Sequence, residues 1–249
     1  MTFKNDNWRK VVQDERFRKA LNLGINRKEI IDTIYFGFAE PSTIQDTTYD
    51  VAAANKLLDE MGMTKGADGF RIGPDGKKFT IPFQVTSWPP DLIPVAELLV
   101  EQWKEALGIN VTMKTISMAL WATRNTDNVL QASVMWTYTP LWYTGDWGQG
   151  LWGPLWNTYF NTAGKQGEKP PADVQKLYDL CAKISTVKSE DAMAAADAVK
   201  AELKTHNWYL IPISNTKKPM IVNAKIGNIS DKGFAIAVGF SMEQFFFKK

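Results

Sequence analysis

Five of the ten tryptophans in this 249-residue chain fall between positions 136 and 156, in VMWTYTPLWYTGDWGQGLWGPLW. They are Trp136, Trp142, Trp147, Trp152 and Trp156, with Tyr138 and Tyr143 between them. Pro140, Gly145, Gly148, Gly150, Gly153 and Pro154 interrupt any regular ladder, so most of the segment is expected as loop. Large rings on a loop are either covered, each hiding roughly 150 to 250 Å², or they wall a groove that stacks on flat or ring-shaped ligands. A pyranose offers a C–H face to an indole, and its hydroxyls call for polar partners such as Asp146, Asn128, Gln149 and Asn157. The ligand-contacting set expected here is Trp136, Tyr138, Trp142, Tyr143, Asp146, Trp147 and Trp152. Trp121 and Arg124 are weaker candidates. Trp156, Trp8, Trp88, Trp103 and Trp208 are assigned to packing, Trp103 because it continues the stripe of Leu98 and Leu99.

Other chemistries are narrowed by what the chain contains once. Cys181 and His206 are its single cysteine and histidine, so a Cys/His zinc site within one chain is impossible and a disulfide could only be intermolecular. Val174, Leu177, Tyr178, Cys181 and Ile184 recur at helical spacing, which puts the thiol on a core-facing stripe. His206 closes a long helical pattern, where an imidazolium favours the negative end of the helix dipole. Tryptophan-lined clefts also occur in glycoside hydrolases, which need two carboxyl groups about 5 to 10 Å apart. Asp127 and Asp146 are the carboxylates available near the segment, and Asp127 reads as a turn residue, a poor catalytic pair. No metal and no organic cofactor is expected.

Lysine and arginine total 29 against 27 acidic residues, and the basic residues are scattered, so no nucleic-acid footprint is seen. The apolar content of 45% suffices for a real core, and the apolar runs fall well short of the roughly 20 residues of a membrane span. The opening MTFKNDNWRK lacks an apolar stretch of signal-peptide length, so either the protein is cytosolic or its targeting segment lies outside this chain.

The elements that must position these residues alternate between helix and strand. Asp14 is expected to cap a helix through ERFRKALNLGI, Asn26 one through RKEIIDTIYFG, and Asp50 one through VAAANKLLDEMG that stops at Gly62. DGFRIGPDGKKFTIPFQVTS reads as a hairpin with its turn at Gly73 to Gly76, the second arm alternating through Phe79, Ile81, Phe83 and Val85. An amphipathic helix, DLIPVAELLVEQWKEALG, leads through Gly108 into the strand INVTMKTI. Ser117 caps a short helix, MALWATRN, and QASVMWT forms a strand that runs into the aromatic segment. This order predicts an α/β fold with a parallel or mixed sheet flanked by helices. In such sheets ligands sit beyond the carboxyl ends of strands, where the tryptophans begin. PADVQKLYDLCAKIS and SEDAMAAADAVKAELKTHN follow as helices, then WYLIPIS and PMIVNA as short strands.

DERFRKALNLGINRKEIIDTIYFG, the DG and GK hairpin, VAELLVEQWKEALGINVTMKTIS, and the terminal PMIVNAKIGNIS with EQFFF together resemble the second half of an extracellular solute-binding protein of family 5, the peptide/nickel/oligosaccharide-binding receptors of ABC importers. WGPLWNTYFNTAGKQGEKPPADVQKLYDL resembles the branch that includes sugar-oligomer binders. The resemblance implies the second lobe of a two-lobed, type II periplasmic-binding-protein fold that closes on its ligand by hinge motion. It also implies a non-catalytic role, a small-molecule solute, an ABC permease as partner, and a periplasmic or extracellular location, a cell-surface lipoprotein included. The expected parts are a lead-in at 1–13, a ligand-binding lobe at 14–214 and an extension at 215–249 returning to a first lobe. Residues 1–13 and 215–249 are expected to be loosely held, and an uncovered apolar face to favour self-association. In peptide-binding members an aspartate three residues beyond the tryptophan corresponding to Trp136 pairs with the peptide amine. Thr139 stands there, which weakens peptide recognition and leaves Asp146 as a substitute.

Overall fold

The computed structural model describes residues 1–135, 150, 152–184, 186–213, 216–217, 223–229 and 245–248. The chain forms two compact units, Met1–Asn215 and Thr216–Lys249.

The first unit opens with four helices: α1 (Asp6–Val12), α2 (Glu15–Leu23), α3 (Arg27–Ile34) and α4 (Val51–Glu60). Their starts follow from local chemistry, because the side chains of Asn5, Asp14, Asn26 and Asp50 each accept a hydrogen bond from an otherwise orphaned first-turn amide. Gly62, with φ of +76°, follows α4 as expected. Residues 1–13, expected to be loosely held, are instead tied down. Trp8 and Val11 of α1 are buried, and Arg9 pairs with both carboxylate oxygens of Glu168 at 3.0 Å.

The hairpin turn forms as expected, with Gly73 N–H donating to Lys77 O at 2.7 Å, but its arms pair at one isolated antiparallel bridge, Ile72 with Lys78, and form no ladder. The second arm continues as β1 (Thr80–Thr86), which joins a parallel sheet with β2 (Asn110–Ile116) and β3 (Ala132–Ser133) in the order β2-β1-β3. Thr80 to Thr86 pair in step with Asn110 to Ile116, while Phe83 and Gln84 pair with Ala132 and Ser133. Between β1 and β2 run α5 (Leu92–Gln102) and a π-helical turn, Trp103–Leu107. Gly108 closes that turn at φ of +69°, and a Cβ there would lie 2.5 Å from the Gly69 carbonyl oxygen, so both conformation and space demand glycine. Between β2 and β3 runs α6 (Met118–Thr126), capped by Ser117 as expected.

Two cores result. Phe17, Ile30 and Leu58 of the helices meet Ile81, Phe83 and Val85 of β1 and Leu99 and Trp103 of the α5 segment. The alternation read along β1 is therefore the face it buries. A second core gathers Trp156 from α7 (Pro154–Asn161), the stripe Val174, Leu177, Tyr178 and Cys181 from α8 (Ala172–Ile184), Val199 and Leu203 from α9 (Ala192–His206), and Trp208. WYLIPIS, expected as a strand, is irregular through residue 213. Asn207 ends α9 in the left-handed region, and side chains replace the ladder that follows: Ile211 N–H donates to Gln45 Oε1 at 2.8 Å, Tyr209 O accepts from Gln45 Nε2, and Ile211 O accepts from Arg27 Nε at 3.2 Å. PMIVNA lies mostly outside the described residues. In the second unit, β4 (Ile226–Gly227) pairs antiparallel with β5 (Phe246–Phe247).

Among the described residues, Arg71 is the largest side chain fully sealed in the interior, at 1% exposure. It donates to Leu107 O at 3.0 Å, Met63 O at 2.6 Å and Asn55 Oδ1 at 2.6 Å, and pairs with Asp59. Arg71→Leu leaves these acceptors unpaired, and urea unfolding is expected to show a loss of about 3 to 5 kcal/mol. Asp14 gives a pH signature. Hydrogen bonding from the Arg16 side chain holds its carboxyl below the ordinary carboxylate value. The resulting stability is present above the unfolded carboxylate pKa and is lost as pH falls through the lowered folded value. In urea titrations Asp14→Asn, which keeps a capping oxygen, is expected to be less stable than wild type at neutral pH and to converge with it in acid.

Candidate functional site

The two crossovers of the sheet lie on opposite faces. Phe83 of β1 meets Trp103 edge-on at 6.3 Å between ring centres, on the α5 side. Gln84, the next residue and so on the other face, accepts a hydrogen bond from Arg124 of α6 at 2.6 Å. The chain thus leaves β1 toward β2 on one side and returns past β1 to β3 with its helix on the other face. That reversal makes a topological switch point between the adjacent strands β1 and β3, and the crevice at their carboxyl ends is where open α/β sheets hold ligands.

Local contacts set that edge. The Ser133 hydroxyl on β3 donates to Gln84 O at 2.6 Å and accepts from Trp121 Nε1 at 2.8 Å, so one hydroxyl joins β3, β1 and α6. On β1, the Thr86 hydroxyl donates to Trp88 O at 2.8 Å. Asp91 precedes α5 without capping it, because its carboxylate accepts from the Tyr35 hydroxyl at 2.6 Å. Burial, and then the bond to Asp91, push the Tyr35 phenol above its ordinary value, so this latch stays protonated through neutral pH.

The expected ligand residues divide sharply. Trp136, Tyr138, Trp142, Tyr143, Asp146 and Trp147 lie outside the described residues, as does Gln149. The chain enters their segment directly after Met135, two residues beyond β3. Trp152 is half-buried within the second core: it stacks on Trp208 at 5.6 Å and 11°, and meets Trp156 edge-on at 6.2 Å. Asn128, weighed as a sugar partner, is buried in the left-handed region and exchanges hydrogen bonds with Thr2 at 2.6 and 2.8 Å. Trp121 and Arg124 are committed to Ser133 and Gln84. Trp8, Trp103, Trp156 and Trp208 are buried as expected. Trp88 is not: assigned to packing, it is 62% exposed. Its sequence signal was the proline pair that follows, which places it in a turn at the end of a strand.

Asp127, half of the weighed hydrolase pair, is exposed at the end of α6 remote from Ser117. His206 lies 3.3 Å from Glu15 and 3.5 Å from Glu202 and stacks on Trp208. Among the described residues no group of three His, Cys, Asp or Glu could hold a metal ion, and no helix is long and apolar enough to cross a membrane.

The family model described as bacterial extracellular solute-binding proteins, family 5 Middle, matches residues 1–159. This chain belongs to that family. No curated protein matches the family 5 chain. Among solved structures it is similar to an oligopeptide-binding protein, OppA, with 26% identity and a TM-score of 0.64 over 82% of this chain and 38% of that one. A periplasmic binding protein, MelB of Agrobacterium fabrum, solved in complex with stachyose, matches with 18% identity and a TM-score of 0.67 over 81% of this chain and 33% of that one. A mannohexaose-bound periplasmic oligopeptide-binding protein of Thermotoga maritima matches with 17% identity and a TM-score of 0.59 over 81% and 41%. The family 5 chain therefore spans about two fifths or less of these structures' own lengths. The α/β class and the type II binding-protein fold expected from the sequence are those of these neighbours.

Ser133 tests the architecture of the edge, because β3 holds β1 through two residue pairs alone. Ser133→Ala deprives Trp121 Nε1 and Gln84 O of their partner. It is expected to lower stability by about 1 to 3 kcal/mol, read by thermal or urea unfolding.

Proposed function

We propose that this chain is a lobe of a non-catalytic receptor that captures a small solute outside the cytoplasmic membrane and delivers it to an ABC permease. The observation that carries the reading is the switch-point edge of the family 5 sheet, from which the chain runs directly into the tryptophan-rich segment. Trp136, Tyr138, Trp142, Tyr143, Asp146 and Trp147 are the proposed ligand-contacting residues. Trp152, stacked on Trp208, has one ring face taken up by packing. Energy for transport comes from a separate ATPase.

The proposed solute is an oligosaccharide. Indole and phenol faces match the C–H faces of sugar rings, and Thr139 supplies no carboxylate for a peptide amine. One observation favours an oligopeptide instead: the solved structure at 26% identity is named an oligopeptide-binding protein. Hydrolysis is disfavoured because Asp127 sits at the end of α6 that has travelled away from the carboxyl edge.

Titrating the full natural chain with cello- and manno-oligosaccharides is expected to change its tryptophan fluorescence saturably, without releasing new reducing ends. A response confined to di- to pentapeptides moves the reading to a peptide receptor. Reducing ends released on incubation would overturn the non-catalytic role.

A further inference from the structure

His206 is the single histidine of the chain, and the proposed function makes no use of it. It stands in the last turn of α9, whose apolar side fills the second core, yet its ring reaches α2, whose apolar side fills the first. Nδ1 lies 3.3 Å from Glu15 Oε2 on α2, and Nε2 lies 3.5 Å from Glu202 Oε2, one turn back on α9. The ring stacks on Trp208 at 5.2 Å between centres, and its side chain is 20% exposed, so its position is fixed and water screens it only in part.

The number of donors makes this arrangement sensitive to a proton. A neutral imidazole carries one N–H and serves at most one of the two carboxylates, whereas the imidazolium carries two and also bears the opposite charge. The charged groups around the ring come from three helices. Glu202 of α9 divides its oxygens, Oε1 pairing with Lys176 of α8 and Oε2 facing the ring. Arg18 of α2 donates to the His206 carbonyl at 3.1 Å and lies 4.6 Å above the Trp208 ring, a cation that opposes charge on the imidazole. Arg18 itself lies in the field of Glu15, Asp173 and Asp14, which offsets its influence. The carbonyl end of α9 adds attraction, because a cation in the last turn meets the negative end of the helix dipole. Two carboxylates beside the ring and a helix end outweigh a guanidinium and an ammonium that are each engaged elsewhere.

We propose that His206 is a proton-operated clasp between the two cores. Charged, it holds α9 to α2 through Glu202 and Glu15; uncharged, it keeps one of those links at most. With carboxylates as partners, the clasp is tightest in mild acid and slackens as pH rises and the ring loses its charge. The inference is independent of which solute the receptor holds.

Urea unfolding of the full natural chain at pH about 5.5 and about 8, wild type against His206→Gln, tests it. Glutamine keeps a donor but takes no charge. The folded-to-unfolded ratio of wild type is expected to exceed that of the variant by about threefold to tenfold more at the lower pH than at the higher one. A second measurement uses the wild-type chain: hydrogen-exchange protection factors of amides 199–206, set against those of β1, are expected to be higher at the lower pH. Glu15→Gln, which removes the partner on α2 and leaves α9 unchanged, is expected to abolish that difference. A wild-type advantage of equal size at both pH values, or protection of α9 that does not change with pH, overturns the clasp and leaves His206 as packing for Trp208.

Discussion

Parallel pairing on both sides of β1 is the constraint from which the candidate site follows. Parallel neighbours cannot be joined by tight turns, so each connection must cross a face of the sheet. With β2 on one side and β3 on the other, right-handed crossovers put α5 and α6 on opposite faces. Alternating side chains of β1 then divide between them, Phe83 toward Trp103 and Gln84 toward Arg124. The switch point between β1 and β3 is a consequence of that reversal. Ser133, bridging Gln84 and Trp121, closes the thinnest part of the arrangement.

Around this sheet the protein buries a good deal of irregular backbone, and long polar side chains make that tolerable. Arg71 serves carbonyls of Met63 and Leu107. Arg18 serves Val12, Gln13 and His206 and lies 4.6 Å above the Trp208 ring, while Arg27 serves Asn22 and Ile211. Burial pushes the Arg27 guanidinium down to about 10, still charged at neutral pH. Arg18 and Arg27 sit on the first helices but reach segments of the second core, so they join the two cores as well as satisfying acceptors. Gln45 does the same for residues 209 and 211. A guanidinium with several fixed donors suits this task, because each unpaired buried carbonyl would otherwise cost stability.

Family 5 membership and the β1/β3 switch point are independent observations, one from the match of residues 1–159 and the other from strand order alone. Among the described tryptophans, Trp8, Trp103, Trp121 and Trp156 on the helical segments are buried, and Trp88, on the turn after β1, is 62% exposed.

Local rules made much of this legible from the sequence. Asp14, Asn26, Asp50 and Ser117 were readable as caps because a side-chain oxygen two or three residues before an amide needs no tertiary partner. The face of β1 was readable from alternation, and the Val174 to Cys181 stripe from helical spacing, since both periods are properties of the backbone itself. Four features were not readable, and each depends on residues far away in the chain. Residues 1–13 pack through Glu168, Asn128 is buried by Thr2, Trp152 is covered by Trp208, and WYLIPIS gives up strand geometry because Gln45 and Arg27 supply its hydrogen bonds. Trp88 was missed for the opposite reason: composition counts a tryptophan as core, and the path of the turn leaves it 62% exposed. The sequence by itself determined the elements and their inward faces, because propensity, capping and periodicity act within a few residues. The tertiary structure alone decided which polar groups became internal partners and which of the described tryptophans were buried, because those outcomes depend on what the fold brings alongside.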